Sequence, residues 1–312
     1  AGNTVSSNSS ITVTRSNDTN SPDVLAVTSS TTDATYNIGD VVAINVQFDE
    51  VVTVTGAPQL TLETGDVDRE VDYLSGSGTD TLLFNYTVQS GDASNDLAYG
   101  GVSALGLNSG TIFDNANNAA TLTLPTVGGT GSLSNSSGLV IDGVRAAFTG
   151  GTVTAGTKSL VLSLGEAVSG TPDAGDFAVT VASASNTVTA VSVAGDGLSI
   201  TLTLTDFVQN NNDVTAAYTA NSDTAKLLSD AAGNTVSSNS SITVTRSNDD
   251  DAPGAPDNSI VVSSAFDGIN STEVSNGVAV LVKLNGTNAQ IGDTVEIILN
   301  GSQFTQPVEY IL

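Results

Sequence analysis

Apolar residues in this chain recur at every second position. In VVAINVQFDE, Val42, Ile44, Val46 and Phe48 share one face while Ala43, Asn45 and Gln47 share the other. Leu82, Phe84, Tyr86 and Val88 alternate in the same way, as do Leu160, Leu162 and Leu164. The stretch SITLTLTDF sets Ile200, Leu202 and Leu204 against Ser199, Thr201 and Thr203. Successive side chains of a strand point to opposite faces, so such segments bury one face and leave a Thr-rich face in water, the pattern of an antiparallel sheet. Turn residues punctuate the runs at GSGTD, SGDASND, AGDG, QNNND and DAAGN, and no segment carries a convincing helical period. The reading is all-β, built of sandwiches.

A second feature fixes the organisation. Residues 1–18, AGNTVSSNSSITVTRSND, recur without a change at 232–249. An identity of that length marks recent duplication of modules, the way tandem arrays grow. The flanks differ: TNSPDVLAVT follows the first copy and DDAPGAPDNS the second, so modules of different type are interleaved. Acidic, Pro-containing connectors lie at NDTNSPD (17–23) and NDDDAPGAPD (248–257), and a third junction falls near GLVIDGVRAA, at 143–146. The expected division is a closing strand of a preceding module (1–18), one sandwich (19–143), a second (144–250) and a partial third module (251–312).

Composition narrows the chemistry. Of 312 residues, 39% are hydrophobic, enough to fill real cores, while only 13% are charged, against roughly 25% in a typical domain. The charge is lopsided, with 33 acidic residues to 7 basic and a net charge of −26. So few scattered cations cannot build the basic stripe that nucleic acid requires, nor dock an anionic membrane surface. No apolar run is long enough to span a bilayer, so no membrane insertion is expected within this segment. There is no Cys and no His, which removes disulfides, thiolate nucleophiles, imidazole ligands and the Ser-His-Asp triad. Lys158, Lys226 and Lys283 are scattered, and the carboxylates sit on turns, so no catalytic pair stands out and the chain reads as non-enzymatic.

The residues then carry a resemblance. VVAINVQFDEVVTVTGAPQLTLETG, YLSGSGTDTLLFNYTVQSGDASNDLAY and GTIFDNANNAATLTLP, within 24–142, resemble the bacterial Ig-like, cadherin-like repeats of giant surface adhesins. Residues 147–246, with LVLSLGEAVSG, DAGDFAVTV and LLSDAAGNTVSS, resemble the repeats of cyanobacterial cell-surface swimming proteins. The segment 1–18 matches the end of that second type, and AVLVKLNGTNAQIGDTVEIILNG is more weakly similar to another bacterial Ig-like repeat. The resemblance implies tandem Ig-like (cadherin-like) β-sandwich modules at the bacterial cell surface, in stalks, filaments or biofilm adhesins often rigidified by calcium. It implies no ligand.

Any metal would be a hard cation held by oxygen, and calcium is the expected one. The EF-hand spacing is absent, as is the glycine-rich nonapeptide of calcium β-rolls. Acidic turns near module ends are the candidates. Asp49 and Glu50 close one strand, and Glu166 holds the matching place in the second module; Asp92 and Asp96 flank the turn GDASND. The connectors supply Asp18, Asn20 and Asp23, then Asp249, Asp250 and Asp251 before Pro253, while Asp142 stands at the third junction. Carboxylates crowded at a junction repel, and a divalent cation with 6–8 oxygen ligands turns that repulsion into a clamp. DNANN (114–118) and DAAGN (230–234) correspond in position; each reads first as a tight turn with Asn117 or Gly233 at positive φ, with a ligand role for Asp114 or Asp230 as the alternative. In DVDREVD (66–72) the charges of Asp66, Asp68, Glu70 and Asp72 read as protection of an exposed sheet edge.

The leading expectation is a non-enzymatic extracellular structural repeat segment of a bacterial adhesin or surface filament, rigidified by calcium at module junctions. Its partners would be other modules of the same array or copies of itself, with a cell-surface or glycan ligand as a further candidate. An S-layer or sheath protein is the first alternative. A carbohydrate-binding accessory module of a secreted hydrolase is the second, and it would have to use Tyr36, Tyr73 and Tyr99, because there is no Trp. Ile11 and Val13 are expected in the same closing strand as Ile242 and Val244. A lone strand needs cover. Either the chain is a window on a longer polypeptide, the favoured case, or the strand is donated to another copy.

Overall fold

The computed structural model describes residues 18–209 and 212–247, then the strand segments 260–262, 280–282, 294–299 and 302–307. The chain divides into two units, Ala1–Val144 and Arg145–Leu312. Both are all-β, of sandwich type; among the described residues the one α-helix, α1 (Leu133–Ser136), is a single turn, and no helix is long and apolar enough to cross a membrane.

In the first unit, β1 (Val24–Ser29) is followed by the short β2 (Thr35–Tyr36) and the long β3 (Val41–Thr55). Then come β4 (Gln59–Glu63), β5 (Arg69–Ser75) and β6 (Thr79–Thr87). They form an antiparallel sheet in the order β1-β3-β6-β5-β4. Short strands complete the unit: β7 (Ala93–Ser94), β8 (Ala98–Tyr99), β9 (Leu105–Gly106), β10 (Thr111–Phe113) and β11 (Val140–Asp142). β8 and β9 pair with β4, while β2, β11 and β7 make a small sheet of their own.

The long strand serves two sets of neighbours. Val41–Gln47 of β3 pair with β6, the register shifts between Gln47 and Val52, and Thr53–Thr55 then pair with β10. The period-2 pattern explains what this buries: Val42, Ile44, Val46 and Phe48 of β3 meet Leu82, Phe84 and Tyr86 of β6 and Leu60 and Leu62 of β4 in one core. Each such side chain contributes about 1.5–3 kcal/mol on burial. The turn from β5 to β6 needs Gly76, at φ 113°, where a Cβ would fall 2.1 Å from the carbonyl oxygen of Thr81.

One expectation from the sequence is overturned here. β5, which carries Glu70 and Asp72, is not a sheet edge but lies between β4 and β6. Val71 is buried on one face while the acids stay on the wet face, where Gln59 Nε2 donates to Asp72 Oδ1 at 2.9 Å. An acidic alternation marks a solvent face as readily as an edge, so the sequence pattern does not discriminate.

The second unit runs through β12 (Phe148–Thr154), β13 (Thr157–Leu164), β14 (Phe177–Val181) and β15 (Ala184–Ser185). It continues with β16 (Val188–Val193), β17 (Ser199–Val208), β18 (Val214–Tyr218) and β19 (Asn239–Ser247). The order is β15-β14-β18-β19-β12-β13-β17-β16. β19 is the seam. Its first part pairs antiparallel with β18, through Asn239, Ile242 and Thr243, and its last part, Val244–Ser247, pairs parallel with β12. Leu160 and Leu162 of β13 stand opposite Leu202 and Ile200 of β17 in the core, with the rings of Phe148 and Phe177 against Tyr218 at 5.4 and 5.2 Å. Further along, β20 (Ile260–Val262) pairs with β21 (Val280–Val282), and β22 (Thr294–Leu299) with β23 (Ser302–Pro307), all antiparallel. The rest of the expected partial module at 251–312 lies outside the described residues.

A buried polar network braces the first unit. Asp92, 1% exposed, accepts from Arg69 Nε at 2.7 Å through Oδ1 and from the Tyr86 hydroxyl (2.7 Å) and the Gln89 N–H (2.9 Å) through Oδ2. Burial, and then the bond to Asp92, pushes the Tyr86 hydroxyl well above the ordinary tyrosine range. Leaving a buried hydroxyl without its acceptor costs about 1–3 kcal/mol. Asp92→Ala is therefore expected to destabilise the first unit by at least about 2 kcal/mol, and Asp92→Asn, which keeps an acceptor, by less. Urea unfolding followed by tyrosine fluorescence measures both, and equal stability of the alanine variant and the parent contradicts the bracing role.

Candidate cation sites

At the start of the first unit a clasp folds the connector against β3. Asp49 Oδ1 accepts from the Asp23 N–H at 2.8 Å, and the Asp49 N–H donates to the Asp23 carbonyl at 3.0 Å. The alternation that buries Phe48 turns Asp49 outward and leaves the next residue, Glu50, half-buried. On a separate loop, the turn DNANN closes on its own acid. Asp114 Oδ1 accepts from the N–H groups of Ala116 (2.8 Å) and Asn118 (2.7 Å), with Asn117 at φ 69°. The Asn118 amide bonds Asp114 Oδ2 at 2.6 Å and also donates to the Asp18 carbonyl at 3.1 Å, drawing the connector in.

One carboxylate oxygen each from Asp18, Glu50 and Asp114 thereby lies within 4.8 Å of the others. Oxygens bound to one calcium at about 2.3–2.6 Å are no more than about 5 Å apart, so this spacing suits a single cation. The donors are all hard oxygens, which favours calcium over softer metals. Burial, then the charges of Asp114, Asp18 and Asp49, raises the Glu50 carboxyl above its ordinary value. For Asp114 burial acts in the same direction, but it is outweighed by the backbone and side-chain bonds from Asn118 and the N–H of Ala116, which hold the carboxyl below the usual range.

The second unit repeats the self-closing acidic turn. DAAGN closes on Asp230, whose Oδ1 accepts from the N–H groups of Gly233 (2.9 Å, φ 100°) and Asn234 (2.8 Å). Glu166, half-buried just beyond β13, brings a carboxylate oxygen within 4.8 Å of one on Asp230. Asp230 is 4% exposed, and its second oxygen, Oδ2, is buried with no hydrogen-bond partner. Buried polar atoms are nearly always paired, so an orphan carboxylate oxygen beside a second carboxylate suits a cation. In sequence, the interval from Glu50 to Asp114 equals that from Glu166 to Asp230.

Asn20, Asp23, Asp49, Asp92 and Asp96 fall outside these acidic groups. Asn20 donates its N–H to Asp18 Oδ1 at 3.1 Å and is exposed; Asp23 and Asp49 are engaged in the clasp. Asp92 is spent inside the core on Arg69 and Tyr86. Asp96 is exposed beside Asp33, Asn95 and Asn135 in a shallow polar groove, outside the acidic groups. Asp142 ends β11, with its Oδ1 accepting the Val144 N–H at 3.1 Å. Asp249, Asp250 and Asp251 lie outside the described residues. The sequence alone offers Asp114 only as an alternative ligand, and the shared interval is the signal that promotes it. Of the aromatic candidates for sugar stacking, Tyr99 is buried with its hydroxyl on the Pro125 carbonyl, and Tyr73 packs edge-on to Phe84. Tyr36 is half-buried and donates to the Thr32 carbonyl.

Residues 141–223 match the family model SWM_repeat, described as "Putative flagellar system-associated repeat". No curated protein matches the chain. Among solved structures, the chain is similar to the S-layer protein rSbsC(31-844), at 16% identity and a TM-score of 0.30, covering 51% of this chain and 21% of that one. The N-terminal part of the bacterial S-layer protein SbsC aligns at 16% identity and 0.29, over 53% of this chain and 38% of that one. An I-band fragment of titin aligns at 12% identity and 0.24, over 75% and 67%. At these scores none of the three fixes the fold or function of the chain, which spans well under two thirds of the S-layer proteins.

The raised Glu50 carboxyl has a definite sign. A group whose folded value is raised contributes stability that is present below its unfolded value and lost as pH rises through the folded one. In chelator at pH 7, Glu50→Gln is therefore expected to raise the melting temperature of the first unit, because it removes one of the repelling charges. Lowering the pH from 7 towards 5 should stabilise the parent more than the variant. Calorimetry of both proteins checks this, and a Glu50→Gln variant that melts lower than the parent in chelator excludes the repulsion.

Proposed function

We propose that this chain is a segment of a non-enzymatic, extracellular structural array on a bacterial cell surface, its sandwiches stiffened by calcium at the acidic clusters. The observation that carries the reading is the match of residues 141–223 to a flagellar system-associated repeat, in a chain that also holds an unchanged duplication of residues 1–18 at 232–249. The role is mechanical: sandwiches in series extend from the cell, and partners are further modules of the array or other copies of it. A net charge of −26 keeps such an array soluble but weakens it by self-repulsion, and the repulsion concentrates where carboxylates converge. The orphan oxygen of Asp230 supports a cation there, and the shared interval extends the argument to Glu50 and Asp114. Adhesin or filament is the form we favour, since tandem duplication lengthens a stalk directly.

A ligand that binds only the folded form stabilises by mass action, by about 2.7 kcal/mol at 100 times its Kd. Millimolar calcium is expected to raise the melting temperature of the chain by roughly 5–10 °C over chelator. Asp230→Asn should remove the gain from the second unit, and Glu50→Gln from the first. Identical melting in calcium and chelator would falsify the clamp while leaving the array reading intact. Electron microscopy of the parent surface tests the array itself: extended fibres support a stalk or filament, and a two-dimensional lattice supports an S-layer or sheath instead.

A further inference from the structure

The duplicated segment is the strand that seams the second unit. Residues 232–249 supply the N–H groups that close the Asp230 turn, the buried Val236, and the whole of β19. β19 bonds β18 on one side and β12 on the other, and Ile242, 3% exposed, seats in the core between them. Its flanks are tied as well. Thr235 accepts from Arg145 Nη1 through both its carbonyl and its hydroxyl, Ser238 Oγ accepts from the Ala220 N–H, and Arg246 Nη1 donates to the Asn212 carbonyl. The first eighteen residues repeat every one of these donor, acceptor and core positions, with Thr4, Ser7, Ile11 and Arg15 as the counterparts of Thr235, Ser238, Ile242 and Arg246.

We propose that residues 1–18 are an exchangeable copy of this closing segment, and that the segment of one chain seats between β12 and β18 of a second copy whenever β19 leaves that slot. The occupant is fixed by identity: no other segment of the chain has this sequence. The contact free energies of the two occupants cancel, since the contacts are the same. What separates them is concentration. The resident strand is tethered, at an effective concentration in the millimolar range, whereas a segment from another chain must be captured from solution. The resident strand therefore wins in the dilute parent protein, and exchange appears where the resident is disabled or where chains are crowded side by side. This is domain swapping by a duplicated strand: donating the first segment does not open the chain's own second unit.

The test uses full-length chains. Ile242→Asp puts a charge into the core and disables the resident strand, and Ile11→Asp disables its copy. The expected result is that the Ile242→Asp chain forms concentration-dependent assemblies by light scattering, with its second unit still protected from protease. The Ile11→Asp/Ile242→Asp double variant should stay monomeric and lose that protection. An Ile242→Asp chain that is protected as a monomer overturns exchange between copies. A second arm does not depend on the folding of a substituted core. A parent chain carrying an inserted protease site between Ala231 and Ala232 is folded and cut, then warmed with a fluorescent peptide of residues 1–18. Uptake of one peptide per chain, at least tenfold stronger than for the same peptide carrying Ile11→Asp, supports the proposal. Should the Ile242→Asp chain be no better protected than the double variant, and the cut chain take up no peptide, the proposal fails.

Discussion

Backbone pairing governs both units, because a strand that enters a core must satisfy its N–H and C=O groups along both edges. In each unit one strand meets that demand for two sets of neighbours in succession. In the first it is β3, which pairs with β1 and β6, shifts register, and then meets β10. In the second it is β19, antiparallel to β18 over its first part and parallel to β12 over its last. Each of these strands closes a curled arrangement that would otherwise leave buried edges unpaired. The two differ in when they arrive along the chain. β3 comes early in its unit and pairs with strands on both sides of it in sequence, whereas β19 is the last strand of its sandwich and completes the pairing of strands already laid down before it in the chain.

The all-β class was legible because alternation is a local property. Val42 to Phe48 and Ile200 to Leu204 announce a buried face without reference to anything distant, and the structure buries those residues. The Asx turns were legible for the same reason: an acid followed by Gly or Asn at the positive-φ position closes on itself whatever surrounds it, as Asp114 and Asp230 do. Sheet order was not local. The acids of β5 look alike whether the strand is an edge or lies between two neighbours, and only the pairing with β4 and β6 decides. Asp92 escapes a local reading on the same principle. Its place in a polar turn suggests exposure, but Arg69 and Tyr86, distant in sequence or on another strand, pull it into the core.

Charge placement follows a similar division. The basic residues are few, and two of them neutralise specific acids: Arg69 meets Asp92 at 2.7 Å in the interior, and Lys226 meets Asp173 at 2.6 Å on the surface. The surface pair is worth little, because water and salt screen it. Acids outnumber bases so heavily that where the fold draws carboxylates together, the compensation has to come from outside or the repulsion stands. The raised carboxyl of Glu50 reflects its burial and that repulsion, expressed as a proton affinity. Asp114 escapes it by accepting backbone and amide N–H groups, which stabilise its charge locally. Asp230 is satisfied on one oxygen only, in contrast with Asp114, whose two oxygens both accept hydrogen bonds.

Under the proposed calcium clamp and strand exchange, the Asp230 carboxylate would join the two. The Oδ1 of Asp230 closes the turn that leads into β19 by accepting from Gly233 and Asn234, while Oδ2 is left without a partner and a Glu166 oxygen lies close to the same carboxylate. In an exchanged pair the receiving copy supplies Asp230, and the donated segment supplies Gly2 and Asn3, the counterparts of those two donors. A cation held by Oδ2 and Glu166 would relieve the crowding of two carboxylates, while Oδ1 stays in the turn for whichever segment supplies the N–H donors. Cation binding and strand seating then act through opposite oxygens of one carboxylate. Calcium would strengthen the slot without choosing between the resident strand and its copy, and the choice would rest on effective concentration alone.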